Sequence, residues 1–211
     1  KANFGYTVNY YKDSVGGELV YQVADNTAEF NSNIPYTLEV TDETALAKLE
    51  GYKTTGTVAE GSAITVSEDA LKNVVNIVLE KDTFDYTIKY YKDSVSDDNY
   101  INQIESTGTF GDTITVNNTT QFLPEGYKAP GAINGTLKVT ADNNQVITVV
   151  YTKDSFYYTV NYYKDSTDTT PFKVVSNMAE FNSTIPVITT LTSVDDLKSL
   201  TGYNSTGTIV N

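Results

Sequence analysis

YTVNYYKDS occupies residues 6–14 and returns letter for letter at 158–166, with a near copy, YTIKYYKDS, at 86–94. A segment present three times is either a site used three times or the opening element of a module built three times, and the flanking sequence decides between them. AEFNSNIP at 28–35 reappears as AEFNSTIP at 179–186, and GYKTTGTV at 51–58 as GYNSTGTI at 202–209. VVNIVLEKDTFDYT at 74–87 is answered by VITVVYTKDSFYYT at 146–159. The spacings are 80 residues (86 minus 6) and 72 (158 minus 86), so the repeating unit has the length of a small domain. The expected division is 1–84, 85–156 and 157–211.

The opening strand of each unit is β-branched and aromatic with a period of two. Tyr6, Val8 and Tyr10 share one face, and Thr7, Asn9 and Tyr11 the other. On this pattern Tyr10, Tyr90 and Tyr162 belong to the core. A polar KDS turn and a returning strand from Glu18 to Phe30 complete a hairpin, followed by a bend at Ile34 and Pro35. In TDETALAKLEGY, Thr41 or Asp42 caps a short helix, Leu46 and Leu49 share its inner face, and Gly51 ends it. In SVDDLKSLTGY the same parts are Ser193, Leu197, Leu200 and Gly202. The middle copy has only QFLPEGY there, and Pro124 limits it to a turn.

Two strands close the unit. In the middle copy TLKVTADNNQVITVVY reads as a hairpin with Asn143 and Asn144 at its tip. The last strand of the first copy, Val74 to Glu80, is almost continuously apolar, as suits a central strand buried on both faces. Phe4, Phe84 and Phe156 stand at the short junctions and are expected to pack between neighbours, giving a semi-rigid rod. The third copy is short: Asn211 aligns with Glu60 (211 minus 151), so the counterpart of the central strand is absent and the opening strand keeps an unpaired edge. Either that copy is poorly ordered or a strand from another chain fills the gap.

The chain has no Cys, His, Trp or Arg, and all 14 basic residues are Lys. Cys–His and Ser–His nucleophiles, thiolate or imidazole zinc sites and arginine phosphate clamps are therefore excluded. A net charge of -13 disfavours nucleic acid and anionic lipid surfaces. No apolar run approaches the ~20 residues of a membrane span, and no basic and apolar leader is visible, as expected of an internal part of a longer chain.

The order YTVxYY, GTFGDTITV with EGYK (108–116 and 125–128) and VITVVYTKD (146–154) resembles the mucin-binding, MucBP-type repeats of Gram-positive cell-surface proteins. Copies one and three differ by the longer helical insertion before GY. The resemblance implies an α+β, mostly β chain of tandem ubiquitin-like β-grasp modules in a wall-anchored extracellular protein. The order of elements read from the residues agrees, because in a β-grasp the last strand lies beside the first.

Tyr11, Tyr91 and Tyr163 lie with polar neighbours on the open face and are the candidate ligand-binding residues, since exposed rings stack on sugars or anchor a protein. The plainer reading is cross-strand pairing. Asp93, Asp97 and Asp98 could offer oxygens to Ca²⁺, but no DxDxDG pattern accompanies them, and solvated turn carboxylates account for them as well. A carboxylate-dependent glycosidase is the remaining enzymatic reading, and no motif singles out its acids. Lys–Asn isopeptide bonds, known in Gram-positive surface domains, have no pair marked for them. The sequence is thus read as a non-enzymatic, cofactor-free adhesin segment. It is either a spacer that contacts host glycoprotein or a dedicated mucin- or glycan-binding module.

Overall fold

The structure, a computed structural model, describes residues 1–117, 119–131 and 135–210. Asn211, which the sequence aligns with Glu60, lies outside the described residues. The chain divides into two compact units: Lys1–Lys89 with Gln103–Asn117 and Ile133–Val149, and Tyr90–Asn102 with Asn118–Ala132 and Val150–Asn211.

The first copy forms β1 (Asn3–Lys12), β2 (Leu19–Glu29), α1 (Glu43–Leu46), β3 (Thr57–Val58) and β4 (Val74–Leu79). Its sheet has the order β2-β1-β4-β3. β1 and β4 run parallel, from Thr7 opposite Val74 to Lys12 opposite Leu79. β4 is therefore central, as its apolar run predicts, but burial alternates along it. Val75, Ile77 and Leu79 are fully buried, whereas Val74, Asn76 and Val78 are only half-buried. On the half-buried face Asn9 Nδ2 donates to Asn76 Oδ1 at 3.0 Å, and Gln22 Nε2 donates to Asn9 Oδ1 at 2.7 Å. The core face gathers Val8, Tyr10, Val20, Ile34, Val40, Ala45, Leu49 and Val66 around the three buried residues of β4. The Asp42 side chain caps α1 by accepting from Ala45 N. The inner face of the helix is Ala45 and Leu49, four apart, not Leu46 and Leu49: Leu46 is 37% exposed. Leu49 is buried as expected, but it lies beyond the helix proper, so helical spacing back from it misplaces Leu46.

The second copy contributes β5 (Thr83–Lys92), β6 (Tyr100–Thr109), β7 (Thr113–Val116), β8 (Tyr127–Lys128), β9 (Gly135–Lys138) and β10 (Gln145–Lys153). One sheet has the order β6-β5-β10-β8, and β7 and β9 form another. The expected hairpin of β9 with β10 is not formed. β9 instead pairs antiparallel with β7, from Thr113 opposite Lys138 to Val116 opposite Gly135. The cause is Gln145, a buried side chain whose Oε1 accepts from Thr140 N and Oγ1 while its Nε2 donates to the carbonyls of Asp85, Thr140 and Asp142. These bonds turn the chain out of one sheet and into the other. Asn143 Oδ1 accepts from Asp85 N, and neither Asn143 nor Asn144 adopts the positive φ of a tight hairpin. Asn73 makes the same corner in the first copy. Fully buried, it accepts from Ser67 N and Oγ and donates to the carbonyls of Gly5 and Ser67.

The third copy contributes β11 (Ser155–Tyr162), β12 (Lys173–Glu180) and α2 (Val194–Ser199), with Ser193 capping α2. β11 and β12 form a two-stranded sheet. Leu200 is buried, but Leu197 is 44% exposed and Tyr162 only half-buried, in contrast to the fully buried Tyr10 and Tyr90. Among the described residues β11 has a single neighbouring strand, β12, and the same sequence pattern is less buried there.

Candidate functional site

The KDS and GY motifs, about forty residues apart in the first copy, meet in space. Asp13 adopts φ +62°, its N–H donates to the Leu79 carbonyl at the end of β4, and its Oδ2 accepts from the Tyr52 hydroxyl at 2.8 Å. Lys12 Nζ lies 4.9 Å from the centre of the Tyr52 ring and 3.1 Å from Glu18 Oε2. Burial, the bond to Asp13 and the charges of Asp13 and Glu18 push the Tyr52 hydroxyl up to about 12, so it stays a donor. The second copy repeats the latch: Asp93 adopts φ +60°, donates from N to the Tyr151 carbonyl and accepts from the Tyr127 hydroxyl at 2.8 Å. Burial and then Asp93 raise Tyr127 as well. In the third copy Tyr203 makes no such bond with Asp165 and is 47% exposed. The Asp165 N–H donates instead to Asp168 Oδ2 at 3.2 Å, within its own turn.

The glycine of each GY motif has a second task. Gly51 takes φ +80°, and its carbonyl accepts from Asp82 N at 2.9 Å. The Asp82 carbonyl accepts in turn from Phe110 N at 2.9 Å. The Phe110 ring lies over Gly51 so closely that a Cβ there would stand 2.2 Å from it. Tyr52 and Phe84 flank that ring, each with centroids 6.2 Å away. The second joint is built alike. Gly126 accepts from Asp154 N and Asp154 from Phe181 N, both at 2.8 Å. Tyr127 and Phe156 flank the Phe181 ring, and a Cβ on Gly126 would again come within 2.2 Å of it. Phe84 and Phe156 do pack at the junctions, but the ring that meets the preceding copy belongs to Phe110 and Phe181. Their shared sequence signal is the Phe that ends the returning strand, Phe30 in the first copy.

Tyr11, Tyr91 and Tyr163 occupy equivalent positions in three separate strand systems and form no common site. Tyr11 lies in β1 opposite Leu19 and Val78 and is half-buried. Tyr91 is half-buried with its ring edge-to-face against Tyr100 at 5.8 Å. Tyr163 follows β11 and is 46% exposed. Asp93 is turned to Tyr127, while Asp97 and Asp98 lie in a separate 3-10 turn, Asp97–Asn99. Among the described residues no group of three or more carboxylates is gathered to hold a metal ion. Among the same residues no helix is long and apolar enough to cross a membrane.

No protein-family model and no curated protein matches the sequence. Six chains of solved structures match it, among them the following two. The crystal structure of Mub-RV is 16% identical, with a TM-score of 0.22, covering 72% of this chain and 99% of its own. The type 2 repeat of the mucus binding protein MUB from Lactobacillus reuteri is 12% identical, with a TM-score of 0.24, covering 72% of this chain and 100% of its own.

Proposed function

We propose that the chain is a repeat region of an extracellular bacterial adhesin, divided at 1–84, 85–156 and 157–211, whose work is to space and hold rather than to catalyse. The observation that carries this reading is the joint made twice from the same parts: a GY glycine, a linker aspartate and a strand-ending phenylalanine. A binding module needs one good surface, whereas a spacer needs each module fixed to the next. The open-face tyrosines support the same choice, because Tyr91 is covered by Tyr100 and Tyr11 is half-buried. The second reading, a mucin- or glycan-binding module, rests on the exposed ring of Tyr163.

Binding of the chain to immobilised mucin and to a glycan array tests the two. The spacer reading expects no saturable binding. Dose-dependent binding that is lost on combined replacement of Tyr11, Tyr91 and Tyr163 by Ala would overturn it.

A further inference from the structure

β2 and β6 are the outermost strands of the sheets β2-β1-β4-β3 and β6-β5-β10-β8, and β12 holds the same place beside β11. Its far edge is therefore an outer edge by the plan of the module. Such edges invite another strand unless a bulge or a charge blunts them. β2 has both. Between the pairs Tyr6 opposite Asn26 and Val8 opposite Val23, one residue of β1 meets two of β2, Ala24 and Asp25, and Asp25 takes φ +64°. β6 carries a carboxylate, Glu105, near its middle.

In β12 neither device is present. Its ladder with β11 runs unbroken from Ser155 opposite Glu180 to Tyr162 opposite Lys173, and the single residue Ser176, opposite Thr159, stands at the place of Ala24 and Asp25. The sequence is shorter by that one residue: Tyr21, opposite Tyr10, precedes Ala28 by seven (28 minus 21), whereas Lys173, opposite Tyr162, precedes Ala179 by six (179 minus 173). The charges of β12, Lys173 and Glu180, stand at its two ends. On the face that carries Ser176, apolar side chains replace polar ones. Val174 holds the place of Gln22 and Met178 that of Thr27, and they are 54% and 45% exposed.

The ladder also fixes which backbone groups look outward. The Phe181 N–H donates to the Asp154 carbonyl, and in an antiparallel ladder every second pair exchanges such bonds. Val175, Asn177 and Ala179 therefore bond toward β11, while the N–H and C=O groups of Val174, Ser176 and Met178 face away from it. Met178 N donates to the side chain of its neighbour, Asn177 Oδ1, at 2.9 Å, instead of to a strand.

We propose that the outer edge of β12 is a self-association site, taken by β12 of a second copy of this chain. A two-fold axis normal to the sheet runs the two strands antiparallel and keeps each face on its own side, so residues that face alike meet across the seam. Centred on Ser176, the axis sets that residue against its own mate and Val174 against Met178 of the other copy, twice over. The two Ser176 residues exchange backbone bonds, and so do Val174 and Met178. The seam joins apolar side chains on one face and opposes no carboxylate to another. A seam centred at the same place on β2 would set Asp25 against Asp25, like charges directly opposed.

The test uses the whole chain. Sedimentation equilibrium from roughly 10 µM to 1 mM should show the mass rising from monomer toward dimer, because one strand pair buries less than the ~1,200 Å² of a stable interface. Over the same range amide exchange should slow at Val174, Ser176 and Met178 and stay unchanged at Val175 and Asn177, which already bond β11. Ser176→Pro removes an N–H that points to solvent in the single chain, and should abolish association while the amides of β11 stay protected. Ser176→Glu and Ser176→Lys probe the same seam without touching the backbone. Each should weaken association about fivefold, and an equimolar mixture should associate more tightly than either alone. A mass that stays monomeric throughout the range would overturn the site. So would association that Ser176→Pro leaves intact, a mixture no tighter than its components, or concentration-dependent protection that falls in β2 or β6 instead.

Discussion

Gly51→Ala should cost more than its backbone alone explains, because two penalties coincide at that residue. Its φ of +80° lies in the left-handed region, where a side chain costs about 1–2 kcal/mol. The added methyl also stands 2.2 Å from the Phe110 ring, deep inside van der Waals contact. Tyr52 and Phe84 flank that ring, and its backbone is tied to Asp82, so it yields only by disturbing the joint; such overpacking costs about 1–3 kcal/mol. Together the expected loss is about 2–5 kcal/mol. Gly61 provides the reference, with φ +81° and nothing within 4 Å of an added Cβ, so Gly61→Ala should cost only the backbone share. Urea unfolding gives the totals, and amide exchange at Asp82 and Phe110 reports the joint itself. Phe110→Ala completes a cycle: in its background the steric share of Gly51→Ala should vanish, leaving a coupling of about 1–3 kcal/mol. If Gly51→Ala is no worse than Gly61→Ala, or if the coupling is absent, the joint is not packed as described.

The Asp–Tyr latch predicts a pH dependence. Tyr52 is raised from 10.0 to about 12 in the folded chain, so the unfolded chain gives up this proton first. The stabilisation is complete below pH 10 and lost as pH rises to about 12, and Tyr52→Phe should flatten that stretch of a stability-versus-pH curve. Asn73→Leu strips the Ser67 N–H and two carbonyls of their partner inside the protein, and should lower stability by about 2–4 kcal/mol in urea unfolding, against less than ~1 for the exposed Asn31→Asp. Gln145→Leu should cost a similar amount and should also raise amide exchange in β9, whose direction the Gln145 corner sets. Tyr163→Ala should leave unfolding midpoints within about 0.5 kcal/mol of the parent, since the ring is largely in solvent.

The sheets were largely legible because their signals are local. A period of two marks β1, β5 and β11, an apolar run marks β4, and Asp42 and Ser193 mark two caps. What escaped was held by pairs far apart in the chain. The Asp13–Tyr52 bond spans 39 residues, and no periodicity points from one to the other. The joint needs Phe110 to find Gly51, and the glycine reads at first as a helix terminator only. The hairpin of β9 with β10 failed for the same reason. Two strands with a polar turn look adjacent until Gln145 is seen to spend its amide on the corner between them. Repetition held a usable signal for the first two: KDS and GY recur in every copy, and a Phe ends each returning strand.

The parallel pairing of β1 with β4 also decides how the first sheet answers to a pull. A load applied at the start of β1 and the end of β4 draws two neighbouring strands along their common axis in opposite senses. The ladder between them is sheared, so its hydrogen bonds resist together and none can be peeled away ahead of the rest. An antiparallel hairpin gripped at its open end yields one rung at a time. Among the described residues the pairing of β11 with β12 is of that antiparallel kind.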